Sequence, residues 1–253
     1  MNFLLIENQT GGLSFVGRLH TDRVRPSLLA VCGAFPTATY LHDLVSTFAG
    51  ANVLVANMPG MAATPWANPT LAEATEALQR AVALLLPTQP IVALGVSTGN
   101  LLTLGLDLPN IRRRVAVEPF FETEGLWPFI ANSRERMALN PDNAAMARFF
   151  WDMFGIAQDR LENRDYRHLL GAIAVPTDVI VGAEPMQPER EAATWPSFIT
   201  PEDRAALAAN PWVTLIEGPP GSGHSYCTTP GGEVKLRQVL HAALHGVVQY
   251  CAS

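Results

Sequence analysis

Ser97 stands in Gly95-Val96-Ser97-Thr98-Gly99, after the apolar run Ile91-Val92-Ala93-Leu94 and before the helical Leu101-Leu102-Thr103-Leu104. A serine between two glycines, where a strand turns sharply into a helix, is held at the tip of a tight, strained turn, and its small neighbours prevent a clash. The helix that follows aims its N–H groups at negative charge developing beside the hydroxyl. An unactivated hydroxyl is a poor nucleophile and needs a base. Of the six histidines, His224 lies in Gly218-Pro219-Pro220-Gly221-Ser222-Gly223-His224-Ser225, a glycine-rich loop between the last predicted strand and the last predicted helix. Such a loop brings an imidazole back over the C-terminal edge of a parallel sheet, where sites built from strand ends gather. The other histidines read as packing or face residues. His241 and His245 are four apart on the last helix, but no Glu follows in a metal-binding arrangement; His20 and His42 lie within or beside ordinary elements, and His168 ends a charged stretch.

A hydroxyl–imidazole pair of this kind needs a carboxylate to orient the ring and to stabilise its cation. Two glutamates follow predicted strands. Glu184, in Gly182-Ala183-Glu184-Pro185, follows Asp178–Gly182, and Glu118 ends Val115–Glu118. Either one reaches the imidazole in a sheet of this type, and either is equally well placed to be a solvated loop carboxylate. The residues alone leave the choice open.

The elements that must carry these groups follow from periodicity. Phe3–Glu7 and Leu13–Leu19 flank a Gln-Thr-Gly-Gly turn and predict a hairpin. Leu28–Cys32, Val53–Ala56 and Ile91–Gly95 are short apolar runs, each followed by turn residues and a helical pattern. A helix over 70–86 is marked by the capping pair Thr70 and Glu73 and stopped by Pro87. Strands return at 115–118, 178–182 and 213–217, and a last helix runs from about residue 233 to 250. This alternation predicts an α/β fold, a mostly parallel sheet with helices on both faces. Residues 121–170 interrupt it with helical periodicity only. Met146, Phe149, Phe150, Met153 and Phe154 form an amphipathic stripe there, and Trp127, Pro128 and Phe129 precede it. An excursion of about fifty residues is too long for a plain connection, so 121–170 is expected to form a helical cap on a core made of 1–120 and 171–253, the alternative being two ordinary surface helices packed on the sheet.

Composition excludes several alternatives. In a chain of 253 residues, 48% are apolar and 16% charged, which suits one large domain with a rich interior. The net charge is −6 and the single basic run is Arg112-Arg113-Arg114, too little for a nucleic-acid face. The N-terminus lacks a basic leader region, and the longest apolar run, near 81–86, is too short for a bilayer. Cys32, Cys227 and Cys251 are odd in number and lack metal-ligand spacing, so they are expected to be reduced thiols of a cytoplasmic protein. No metal or organic cofactor is required by the expected chemistry.

Over nearly its whole length the chain resembles an α/β-hydrolase. Cys32-Gly33-Ala34-Phe35-Pro36-Thr37 resembles the family's His-Gly-x-Pro segment, with Cys32 in place of histidine and one extra residue before Phe35-Pro36. Asn57-Met58-Pro59-Gly60-Met61-Ala62 is similar to its Asp-x-Pro-Gly-x-Gly turn. Val175–Gly182 is similar to the segment leading to the acid, and Glu184-Pro185-Met186-Gln187-Pro188 resembles the family's Asp-Pro-x-x-Pro. The resemblance therefore favours Glu184 as the acid. It implies an oxyanion hole from the backbone N–H of Thr98 and of Ala34 or Phe35, and a cap that shapes the substrate pocket. Serine rather than aspartate in the elbow argues against dehalogenase and epoxide-hydrolase chemistry.

The expected activity is hydrolysis of an ester, or a thioester, of an apolar acyl or aryl group through an acyl-enzyme. A diketone-like carbon–carbon bond is a further candidate. Two other readings are a ligand-binding protein with little turnover, and an acyltransferase that uses an acceptor other than water. The expected partner is a small apolar molecule, with neither nucleic acid nor membrane, and the oligomeric state is left open.

Overall fold

The computed structural model describes residues 3–10, 13–20, 25–34, 38–48, 50–57, 70–127, 144–184, 196–224, 226, 229 and 231–252. Among these residues eight strands form one sheet: β1 Phe3–Thr10, β2 Leu13–His20, β3 Ser27–Val31, β4 Asn52–Ala56, β5 Ile91–Val96, β6 Ile111–Val117, β7 Thr177–Val181 and β8 Val213–Glu217. Their spatial order is β1-β2-β4-β3-β5-β6-β7-β8. The hairpin strand β2 pairs antiparallel with β1 and with β4, and every later pairing is parallel. The helices are α1 Ala38–Val45, α2 Leu71–Leu85, α3 Gly99–Gly105, α4 Ala144–Phe154, α5 His168–Gly171, α6 Pro201–Ala209 and α7 Gly232–Ala252.

Side chains alternate across a strand, so a strand buried on both faces is nearly continuously apolar and feeds two cores. β3, β4 and β7 are buried at every position. Leu29, Val31, Ala93, Ala116, Val179 and Val181 enter one core with α2 and α3. Their neighbours Leu28, Ala30, Leu94, Val115, Val117 and Ile180 enter the other with α1 and α7. The sheet is therefore covered on both faces. Thr70 caps α2 by accepting from Glu73 N–H at 3.2 Å, and its hydroxyl donates to the Glu73 carboxylate at 2.8 Å. No helix among the described residues is long and apolar enough to cross a membrane.

β6 begins earlier than its apolar run suggests, so the three arginines lie inside the strand. Arg113 forms two 2.7 Å bonds to Asp178 on β7. Arg114 is buried and donates to the carbonyls of Thr103 and Leu106 at 3.2 and 2.8 Å. Burial lowers its pKa, and Asp107 acts in the opposite direction. The periodicity missed the strand's start because side chains with satisfied polar ends can occupy strand positions that ordinarily demand apolar ones.

In the 121–170 stretch, Phe149, Phe150, Met153 and Phe154 of the predicted stripe are buried and join the same core as α2 and α3. Trp127 donates to the Phe154 carbonyl at 2.9 Å. Tyr166 is buried with them, and burial pushes its phenol well above the usual range. Residues 128–143, which include Pro128 and Phe129, lie outside the described part.

Candidate active site

The ends of three neighbouring parallel strands build the site. The register aligns Val96 with Val117 and Val117 with Ile180. Ser97 and Glu118, the first residues beyond β5 and β6, therefore stand level at the sheet's C-terminal edge. Both adopt left-handed backbone, with φ of 52° and 47°. Two non-glycine residues at positive φ, side by side, represent local strain that the surrounding bonds must hold. Ser97 N–H donates to the Val117 carbonyl at 2.9 Å, and Glu118 N–H donates to the Ile180 carbonyl at 2.9 Å.

The glycines around Ser97 answer to close packing. A Cβ on Gly99 would lie 2.3 Å from the Val31 carbonyl oxygen, and one on Gly95 would lie 2.8 Å from Asn100 Cα. A Cβ on Gly33 would press on Ser97 Cβ at 3.1 Å, so the segment after β3 lies directly against the serine. Ala34 in that segment is buried, as is Thr98 at the start of α3. Phe35, the other candidate backbone donor, lies outside the described residues, as do residues 58–62 of the Pro-Gly turn.

The loop after β8 returns an imidazole to this edge. Ser97 Oγ lies 2.7 Å from His224 Nε2, and His224 Nδ1 lies 3.4 Å from Glu118 Oε2. Glu118 is fully buried, His224 nearly so, and the other Glu118 oxygen accepts the Gly182 backbone N–H. The ring of Phe198 covers His224 with centroids 4.4 Å apart. The carboxylate against the imidazole is therefore Glu118, and the sequence preference for Glu184 in that place is corrected. Glu184 pins the loop that carries His224: its Oε1 accepts from Gly221 N–H at 3.1 Å, and its backbone N–H donates to the Ser222 carbonyl at 2.8 Å. The difference is one of distance along the chain. Glu118 directly follows its strand as Ser97 does, whereas Glu184 stands three residues beyond the end of β7.

Cys32 is a free, buried thiol whose burial pushes its pKa up to about 12. His241 and His245 are exposed on α7 and line shallow depressions beside Phe48, of about 500 and 320 Å³. Among the described residues no cluster of three or more His, Cys, Asp or Glu side chains could hold a metal ion.

No protein-family model matches this sequence, and no curated protein matches it. Solved structures do match, along almost the entire chain. A lipase-esterase related protein from Clostridium acetobutylicum superposes with a TM-score of 0.63 at 15% identity, over 90% of this chain and 98% of its own. A thermophilic esterase from Thermogutta terrifontis gives 0.61 at 16% identity, over 98% and 99%. A haloalkane dehalogenase loop variant from Bradyrhizobium elkanii gives 0.65 at 14% identity, over 99% of each chain. The chain has the α/β-hydrolase fold.

Esterases and a dehalogenase share this α/β-hydrolase architecture, so the fold alone does not choose a reaction and the site must. Two residues of the site were not singled out from the sequence. Asn100 is a buried polar residue in an apolar helical run directly after the elbow, and its Nδ2 donates to the Ser97 carbonyl at 2.9 Å. Phe198 carried no local signal, because the segment that places it on His224 has neither helical nor strand periodicity.

Proposed function

We propose that the chain is a serine hydrolase that cleaves an ester or thioester through an acyl-enzyme. The observation that carries this reading is the 2.7 Å contact between Ser97 Oγ and His224 Nε2, with the buried Glu118 carboxylate behind Nδ1. In this mechanism Ser97 Oγ attacks the carbonyl carbon while Nε2 takes its proton. Glu118 accepts a hydrogen bond from Nδ1–H without taking the proton, fixing the tautomer and stabilising the imidazolium. At 3.4 Å that contact is long, and it is expected to shorten when the ring becomes charged. The tetrahedral oxyanion is held by the backbone N–H of Thr98 and of Ala34 or Phe35, each donor contributing about 3 kcal/mol to the barrier reduction. Nε2 then protonates the leaving group, and in the second half it activates water on the acyl-enzyme.

An apolar acyl or aryl group is the substrate class we favour, supported by the Phe198 face beside His224. The aromatic stripe of α4 is consumed in core packing and adds nothing to that argument. In the same reading residues 121–170 form the cap, and the protein works in the cytoplasm, where the Cys32 thiol would stay reduced. Intact-mass labelling with a fluorophosphonate tests the proposal. One adduct on the unmodified protein, missing in Ser97→Ala, is expected. A folded protein that takes no label would sink the hydrolase reading in favour of a binding protein. The substrate class is checked by hydrolysis rates along a series of acyl-chain lengths, which should rise with chain length.

A further inference from the structure

Asn100 is fully buried, and its side chain joins two loops. Nδ2 donates to the Ser97 carbonyl at 2.9 Å and to the Val117 carbonyl at 2.9 Å. One acceptor is the carbonyl of the serine itself, and the other belongs to the residue before Glu118. Both carbonyls already accept a backbone N–H, from Asn100 and from Ser97 respectively at 3.0 and 2.9 Å, so neither would be orphaned without the amide. Meanwhile Asn100 Oδ1 is buried and has no hydrogen-bond partner among the described residues. An unsatisfied buried acceptor is costly, and an apolar residue would avoid that cost. Gly95 adds a further expense, because its missing side chain is what makes room for Asn100: a Cβ there would lie 2.5 Å from Oδ1. An amide that is expensive for stability yet ties together two strained turns is best explained by the geometry it enforces.

We propose that Asn100 is a positioning residue, locking the turn that carries Ser97 to the turn that carries Glu118. The inference rests on the serine-hydrolase reading. By bridging the two carbonyls, the amide fixes the separation between nucleophile and acid, and hence where His224 must sit to touch both.

The test uses the full chain with Asn100→Ala, Asn100→Ser and a control, Thr103→Val, which removes a buried hydroxyl one turn along the same helix. A serine at position 100 can still bond its own turn's Ser97 carbonyl but is too short to cross to Val117. Fluorophosphonate labelling rates, and kcat and KM on an ester, are measured at a temperature where circular dichroism shows each variant folded. Both Asn100 variants should label and turn over about tenfold to a hundredfold more slowly, in kcat rather than KM, as expected for sub-ångström misplacement. Thr103→Val should lose stability without losing rate. Combining Asn100→Ala with Glu118→Gln should give less than the product of the separate losses. Recovery of the rate by Asn100→Ser, additive losses, unchanged rates, or failure of both variants to fold would each overturn the proposal. An unmodified chain that takes no label on Ser97 is a separate failure: it removes the hydrolase reading itself, and this inference with it.

Discussion

Glu118 and Glu184 both follow strands, and what separates them is where their oxygens end up. Glu118 is buried against His224, whereas Glu184 is part-exposed and holds the loop through Gly221. On the proposed mechanism Glu118→Gln should lower kcat by roughly a thousandfold to ten thousandfold, because the amide favours the wrong imidazole tautomer. Glu184→Ala should cost far less kcat than Glu118→Gln while loosening the loop, which hydrogen exchange at residues 218–224 would record. Cys32 offers a check that is independent of activity. Its thiol is raised from 9.0 to about 12, so between those values the unfolded chain gives up a proton that the folded chain keeps. Its contribution is full below pH 9 and falls as pH rises toward 12. The stability difference between the unmodified protein and Cys32→Ala should therefore shrink above pH 9 in denaturant titrations. Ser97 and His224 were legible because their signals are local: an elbow between strand and helix, and a glycine-rich loop before a helix. The carboxylate beside them was not, because which glutamate faces His224 depends on the register of β6 and β7, which no run of consecutive residues encodes.

At the level of elements, the elbow shows how little freedom the backbone retains. Gly99 lies where a Cβ would meet two backbone oxygens, those of Val31 and Cys32, at 2.3 and 2.6 Å. Gly99→Ala should destabilise the fold by about 3 kcal/mol, measured as a lowered urea midpoint, because no side chain can move aside to relieve the clash. The existence of α2 and α4 was legible from a 3.6-residue period and, for α2, from its cap. The boundary of β6 was not, since Arg113 and Arg114 occupy strand positions through bonds to Asp178 and to two carbonyls that are remote in sequence. For α4, periodicity gave the buried face but not its partner, which is the core already occupied by α2 and α3.

For the whole molecule, the two-sided sheet was legible because double burial forces continuous apolar strands, and the parallel order followed from the helices between them. How the 121–170 stretch is fastened was not. Arg167 ties it to α6: its Nε donates to Asp203 at 2.8 Å while its other nitrogens reach Glu122 at 3.0 Å and Asp165 at 3.8 Å. Asp203 is almost wholly buried, so Arg167→Met leaves its charge stranded. The variant should be destabilised by about 2 kcal/mol in urea titrations, and adding Asp203→Leu should recover most of that loss. The placement of Glu118 before this stretch, and not after it, has a last consequence. A chain divided anywhere between residues 121 and 170 leaves Ser97 and Glu118 on one fragment and His224 on the other. Neither fragment then holds both the serine and the base of the proposed mechanism. The protein is thereby suited to serve as a split reporter, in which returning turnover measures the reunion of two halves.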